Sequence, residues 1–323
     1  MTTTAKYRAK YRARLPQLSE QLFLTDGGME TTLIFHEGLD LPLFMAFPLL
    51  DDAAGLTKVR DYYERYCRMA QDAGLGFVLE SPTWRANADW AEKIGYSRAK
   101  LADTNRKAID LMTELRAKFE TPGSPMPISG NIGPRGDGYV PGKMMSAWQA
   151  EEYHAEQVAV FRGTPADMVS AFTLNYANEA VGVVQAAKAA GIPVVISFTV
   201  ETDGRLPTGQ TLKDAITEVD TETDGAPAYY MLNCAHPTHF ENAFEDGEPW
   251  IARLRGLRAN ASKASHAELD AMTVLDGGDP AELGRQYAEL RRKHRHINVL
   301  GGCCGTDHRH VEQICLACEQ VEA

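Results

Sequence analysis

The sequence has no long hydrophobic run. Its longest nearly apolar stretch, Pro42 to Leu50, has nine residues, whereas a membrane-spanning helix needs ~20, so no span is expected. No apolar signal-peptide core precedes the first strand-like segment, which makes the cytoplasm the expected compartment. Positive charge is in deficit. The 33 Lys and Arg face 44 Asp and Glu, a formal net charge of −11, and an acidic surface is repelled by phosphate backbones, so no nucleic-acid partner is expected. Cysteine is scarce, at six in 323 residues, too few for a disulfide scaffold. In a reducing compartment, clustered cysteines point instead to metal binding or catalysis. No G-x-G-x-x-G follows the first strand-like run, so the dinucleotide fingerprint is missing. What remains is ordinary: 44% hydrophobic and 24% charged residues, which excludes wholesale disorder, collagen and coiled coil.

Residues 1–19 carry Lys6, Arg8, Lys10, Arg12 and Arg14 and no acid. The reading is a basic helical arm lying across the folded body or a subunit neighbour, which leaves a homo-oligomer open; an organellar transit peptide is the alternative. Residues 20–323 then alternate short β-like runs with longer helical patterns. Residues 56–73 place Leu56, Val59, Tyr63, Tyr66, Cys67 and Ala70 at three- and four-residue spacing, and Gly74 ends the pattern. In the clearest unit, Ala180, Val183, Val184, Ala187 and Ala190 make a helix face, Gly191 stops it, and PVVIS reads as a buried strand. Further helices are expected near 97–119, 146–162 and 308–320. The Asp-, Gly- and Thr-rich stretch 202–227 reads as a long loop containing a short helix. Strands fall near 22, 77, 128, 169, 194, 230, 256 and 298, the seventh being Leu254–Leu257. About eight β/α alternations favour a single-domain α/β fold, the (β/α)8 TIM barrel, over a doubly wound sheet.

Polar motifs sit at strand ends, where barrel enzymes place their chemistry. Asp26-Gly27-Gly28 follows LFLT, Asn233-Cys234 follows YYML, and Gly301-Gly302-Cys303-Cys304-Gly305-Thr306 follows INVL. Strands six, eight and one are near neighbours in a barrel, so Cys234, Cys303 and Cys304 can converge. Three thiolates can bind Zn²⁺ and leave the fourth tetrahedral position open, as in a catalytic site. Adjacent cysteines on a strand point in opposite directions, and the flanking glycines are expected to supply the unusual backbone that turns both to one metal. A closed site is the rival: Cys315 and Cys318 have metal-ligand spacing and could join Cys303 and Cys304, with His308 and His310 as further candidates. Cys67 sits on an apolar helix face and reads as core.

DGGME at 26–30, NCAHP at 233–237 and GGCCGT at 301–306 resemble the homocysteine S-methyltransferase family. SGNIGPRGD (129–137) and SFTVETDGRLPTGQTL (197–212) agree with its third and fifth strand ends, and the likeness runs from about residue 15 to the C-terminus. The resemblance implies a (β/α)8 barrel with a zinc ion on Cys234, Cys303 and Cys304 and a thiol substrate as fourth ligand. It implies methyl transfer to that thiol, homocysteine giving methionine, from a sulfonium or ammonium donor. S-methylmethionine or S-adenosylmethionine is the first choice and a betaine-type donor the second. Small molecules, a thiol acceptor and a methyl donor, are thus the expected partners.

The same resemblance places Asp26, Gly27 and Gly28 at the amino-acid part of the thiol substrate, and gives Asn233 a role in orienting the loop or binding substrate. One position departs. The family's acid at the end of strand four, which helps hold the substrate's amino group, falls at Phe172. Glu80, ending strand two, can replace it, can recognise part of a different thiol, or can form a rim ion pair with Arg85. Trp84, Tyr139, Phe172 and Tyr176 are candidate walls for a cationic methyl donor, because aromatic faces attract such groups. Two other readings stay open: a methyltransferase or demethylase of the same zinc-thiolate chemistry with another thiol, and a non-catalytic zinc-stabilised barrel.

Overall fold

Helix boundaries follow from local chemistry. We use a computed structural model of the chain, which describes residues 8–244 and 248–321. Helix α1 (Ala53–Ala73) starts where the Asp52 side chain accepts from the Gly55 N–H, and stops where Gly74 takes φ 67°. Ser97 caps α2 (Arg98–Phe119), and Ser146 and Gln149 form a capping box on α3 (Ala147–Arg162). Helix α4 (Ala177–Ala190) ends at left-handed Gly191. Helix α5 (Leu212–Thr223) is the short helix expected inside the loop-like stretch 202–227. Its polar composition hid an apolar face, Leu212, Ala215, Ile216 and Val219, which is buried behind a Thr211 cap. Helices α6 (Pro280–Lys293) and α7 (His308–Glu319) complete the set of long helices. No helix among the described residues is long and apolar enough to cross a membrane.

The strands are β1 (Phe23–Leu24), β2 (Gly76–Phe77), β3 (Leu79–Glu80), β4 (Ile128–Ile132), β5 (Met168–Leu174), β6 (Val194–Phe198), β7 (Tyr229–Asn233), β8 (Leu254–Ala259) and β9 (Val299–Gly302). All neighbours are parallel, in the order β2-β1-β9-β8-β7-β6-β5-β4-β3. β2 and β3 are two halves of one extended run around Val78, whose N–H donates to the Leu24 carbonyl while that of Leu79 donates to Pro127. The two ends of the sheet therefore meet in one stave. The fold is the expected α/β (β/α)8 barrel, and parallel strands buried on both faces explain their almost uninterrupted apolar runs.

One apolar cluster fills the helix side of the strands. A second, including Phe23, Val78, Met168, Phe172, Val195, Tyr229, Met231 and Val299, occupies the other face at alternating positions. Leu15 belongs to that inner cluster. Gln17 donates to the Tyr229 hydroxyl at 3.3 Å, and Asn298 donates to the carbonyls of Gln17, Ser19 and Gln21. Arg12 donates to the carbonyls of Thr164 and Ala166. The arm thus closes the N-terminal end of the barrel. It is not the expected helix: residues 8–15 carry none, and Pro16–Leu18 make a single 3-10 turn. Its side chains bond to the barrel floor rather than to a helical face of their own. Lys6 lies outside the described residues. At the opposite end, the loops after β1, β3, β7 and β9 face one another.

Candidate active site

Cys234 leaves the end of β7, and Cys303 and Cys304 leave the end of β9, with β8 paired between them. Their three sulfurs lie within 4.8 Å of one another, the sole such group of His, Cys, Asp or Glu among the described residues. Cys234 adopts φ 55°, a left-handed conformation that a side chain disfavours. Its surroundings over-determine it. Its N–H donates to the Arg258 carbonyl at 3.0 Å, and its own carbonyl accepts from Asn260 at 3.1 Å and faces His266 Nε2 at 2.6 Å. His266 also meets Glu201 at 3.0 Å and stacks on Tyr139 with ring centres 4.0 Å apart. Strain of this kind persists where neighbours enforce it. His266→Ala is therefore expected to weaken metal retention about 10- to 100-fold in a chelator competition assay, the range for groups that orient a ligand.

Of the glycines of GGCCGT, Gly305 supplies the unusual backbone expected, while Gly301 and Gly302 do a different job. Gly305 has φ 78°, but Gly301 and Gly302 lie in β9. A Cβ on Gly302 would sit 2.0 Å from Thr306 Oγ1, and one on Gly301 1.9 Å from Thr25 Oγ1. Their requirement is space, not backbone freedom. Gly28 is similar: a Cβ there would meet the Cys303 carbonyl oxygen at 2.5 Å, while its N–H donates to Thr306. The first loop is thereby packed against the cysteine loop.

Cys234 and Cys303 are bonded as a disulfide, with Cys304 free beside them. A disulfide and a bound metal are alternative uses of the same two sulfurs, and reduction restores three ligands. Three sulfurs at one cavity wall fit a tetrahedral ion with one position left to the cavity. Cys315 and Cys318 are buried in α7, outside this group. His310 caps α7 through Asp307 and faces the Gly277 carbonyl at 2.7 Å, and His308 lies 3.2 Å from Arg65. Cys67 is buried in the core.

The cavity beside the sulfurs has a volume of about 430 Å³, and its wall contains Asp26, Gly27, Gly28, Glu80 and Asn233 together with the three cysteines. Trp84, Tyr139 and Phe172 line it too. Tyr176 does not: its hydroxyl accepts from the Met145 N–H below the wall. Tyr139 Oη lies 3.6 Å from Cys304 Sγ. Asn233 is a brace, accepting from Thr173 N–H at 2.9 Å and Ser197 Oγ at 2.6 Å and donating to Thr173 Oγ1 at 2.8 Å, with Nδ2 also 3.9 Å from Cys303 Sγ.

Asp26 is buried and already paired. One oxygen lies 2.8 Å from Arg258 Nη2, and the other accepts from the Tyr62 hydroxyl at 3.0 Å. Burial pushes its carboxyl up, with Arg258 opposing. Glu80 is also buried, and burial raises it to about 7 despite Arg258 and the hydroxyls of Ser129 and Ser170. Its Oε1 accepts from Ser170 at 3.2 Å, and its Oε2 has no protein partner among the described residues. Arg85 does not pair with it, but turns to Asp137 at 3.8 Å and stacks on Trp90. Sequence reasoning missed Arg258. The strand was expected to end at Leu257, two residues short of its end at Ala259. The available signal was an arginine in the run LRGLRAN, where a strand end meets a loop.

The homocysteine S-methyltransferase profile matches residues 23–318. Among solved structures, the homocysteine methyltransferase MmuM from Escherichia coli in its oxidized form is 18% identical, with TM-score 0.71 over 97% of this chain and 100% of that one. The metallated form is 17% identical, with TM-score 0.69 over 92% of this chain and 96% of that one. The apo form is 18% identical, with TM-score 0.64 over 95% and 98%. At this identity the structural likeness establishes a shared fold.

Proposed function

The chain belongs to the homocysteine S-methyltransferase family and is a methyltransferase, and we propose that it is a zinc enzyme transferring a methyl group from a sulfonium or ammonium donor to the thiol of homocysteine. The observation that carries this reading is the convergence of Cys234, Cys303 and Cys304 on the wall of a cavity. These three residues would hold the ion. Zinc there would stabilise the acceptor as a thiolate, the nucleophilic form, since a free alkyl thiol is mostly protonated at neutral pH. The chain's own groups do the remaining work. Glu80 offers an unpaired carboxylate oxygen to an ammonium group. Trp84, Phe172 and Tyr139 give aromatic faces to a cationic donor. Phe35, Phe44 and Met272 add apolar side chains to the cavity wall. Residues 20–323 are read as the catalytic barrel and 1–19 as the arm before it. A reducing compartment, the cytoplasm, suits a site that needs three free thiols.

S-methylmethionine and S-adenosylmethionine are the favoured donors, and a betaine-type donor is next. The test is a donor screen with homocysteine and reduced, zinc-loaded protein, read as methionine by mass spectrometry. Methionine from a sulfonium donor supports the reading, and its absence with every donor overturns it. Acid provides a second check. Protons compete with zinc for thiolates, so zinc content and rate are expected to fall together as pH drops. Loss of rate with zinc fully retained would assign the acid limb to another group.

A further inference from the structure

Burying an arginine is costly, and an apolar replacement of a buried ion pair is often just as stable. Arg258 is nonetheless buried in the cavity wall beside the three sulfurs. Its contacts are incompletely used. Nε donates to the Gly302 carbonyl at 3.0 Å, and Nη2 donates to the Gly27 carbonyl at 3.1 Å and pairs with Asp26 at 2.8 Å. Nη1 has no partner among the described residues. Phe172 flanks the guanidinium, its ring centre 5.2 Å from the central carbon. Asp26 offsets the charge of Arg258 and is thereby engaged. The cavity wall therefore offers one arginine nitrogen and three buried oxygens without a hydrogen-bond partner among the described residues, Asp26 Oδ1, Asn131 Oδ1 and Glu80 Oε2, of which Asp26 Oδ1 is held by the ion pair with Arg258 and Glu80 Oε2 is the one carboxylate oxygen outside it.

A donor on a cation and an acceptor on a carboxylate form a complementary pair for a zwitterion. We propose that Arg258 binds a carboxylate on the acceptor thiol, so that the cavity selects α-amino-acid thiols, with Glu80 taking the ammonium group. This rests on the reading that the cavity receives a thiol at the three cysteines. An arginine suits the task because its planar fork can hold Asp26 with one edge and keep a nitrogen for a second anion. Phe172 lies against the guanidinium without adding a further carboxylate to the two, Asp26 and Glu80, that already face it.

Three thiols of matched length separate the contributions: homocysteine, 4-mercaptobutanoate without the amino group, and 3-aminopropanethiol without the carboxylate. Each is titrated by calorimetry into reduced, zinc-loaded wild type, Arg258→Gln and Asp26→Asn/Arg258→Gln. The double variant removes both charges together and guards against misfolding caused by an unpaired Asp26. The readout is the affinity ratio of homocysteine to 3-aminopropanethiol within each protein, so a general loss cancels. Wild type is expected to favour homocysteine about 10- to 100-fold, the range for a charge-assisted hydrogen bond. Both variants are expected to bring that ratio close to one. A ratio unchanged in the variants, or close to one in wild type, makes Arg258 a structural tie between strands and overturns the proposal. Cobalt-substituted protein separates the two levels. Thiols that change its visible spectrum without dependence on Arg258 overturn only the carboxylate reading, whereas three thiols that leave it unchanged overturn the metal-thiol reading too.

Discussion

Alanine at Cys234, Cys303 or Cys304 is expected to strip the bound zinc and lower methyl transfer on the order of a thousandfold or more. Wild type, purified under reductant so that Cys234 and Cys303 are separate thiols, should carry about one zinc per chain. The variants should stay folded, because the cysteines lie at strand ends while the core fills the strands and helices. Cys315→Ala and Cys318→Ala should keep their zinc. Those residues are small buried groups on α7, outside the sulfur cluster, and their loss should cost only packing. Zinc per chain by elemental analysis, beside circular dichroism, checks both halves. A chain that loses zinc as readily on Cys315 or Cys318 replacement does not use the three-sulfur site as proposed.

Glu80→Gln is expected to raise the Michaelis constant for homocysteine on the order of a hundredfold, since leaving one member of a buried charge pair alone costs about 2–5 kcal/mol. Zinc content should not change, and 4-mercaptobutanoate, which has no amino group, should be nearly unaffected. The pH dependence carries a defined sign. Burial raises the Glu80 carboxyl to about 7, so the ionised form that attracts an ammonium is present above that value and lost below it. The affinity ratio of homocysteine to 4-mercaptobutanoate, from which the pH dependence of the thiol and the zinc cancels, should rise from pH 6 to 8 in wild type, and Glu80→Gln should remove that rise. The charged neighbours of Glu80 are Asp26 from the first loop and Arg258 from β8. Asp26→Asn differs in kind. It leaves Arg258 buried without its counter-charge, so its first effect should be a loss of stability of about 3–5 kcal/mol, read as a lower unfolding midpoint. An Asp26→Asn protein as stable as wild type, with its ammonium selectivity lost, would make Asp26 rather than Glu80 the group that holds the ammonium.

Local pattern was enough for much of this molecule. The three- and four-residue spacing of 56–73 and the unit from Ala180 to Gly191 marked helices α1 and α4 because burying one helical face requires that period. Short apolar runs between them marked strands buried on both sides, and their alternation with helices implied the barrel. GGCCGT and NC after such runs marked the cysteines, because barrel loops at strand ends share one face. The polar stretch 202–227 holds the short helix expected within it, α5, but its bounds were not legible, since a three-turn helix against a barrel needs only a few apolar residues. The basic arm concealed its structure for another reason: its order comes from the Ala166 carbonyl just before β5, the Tyr229 hydroxyl of β7 and the Asn298 side chain just before β9, all remote in sequence.

The sequence by itself determined the barrel and brought the cysteines forward as candidates, because period, turn chemistry and residue type are properties of short segments; Asp26 and Glu80 came forward through the family resemblance of the strand ends that carry them. Only the tertiary structure decided what those groups face. Whether Asp26 is free or engaged depends on Arg258, 232 positions away, and that meeting is set by the closure of the sheet and the register of β8 on β9. A two-residue error in where β8 ends left Arg258 outside the strand, although side-chain alternation in the folded barrel puts it in the cavity wall. Tyr176 fell outside the same wall despite its aromatic character, because the backbone turns at the end of β5, where Thr173 has φ 62° and Asn233 holds it. Such positions follow from the packing of the whole sheet, which no local window of residues contains.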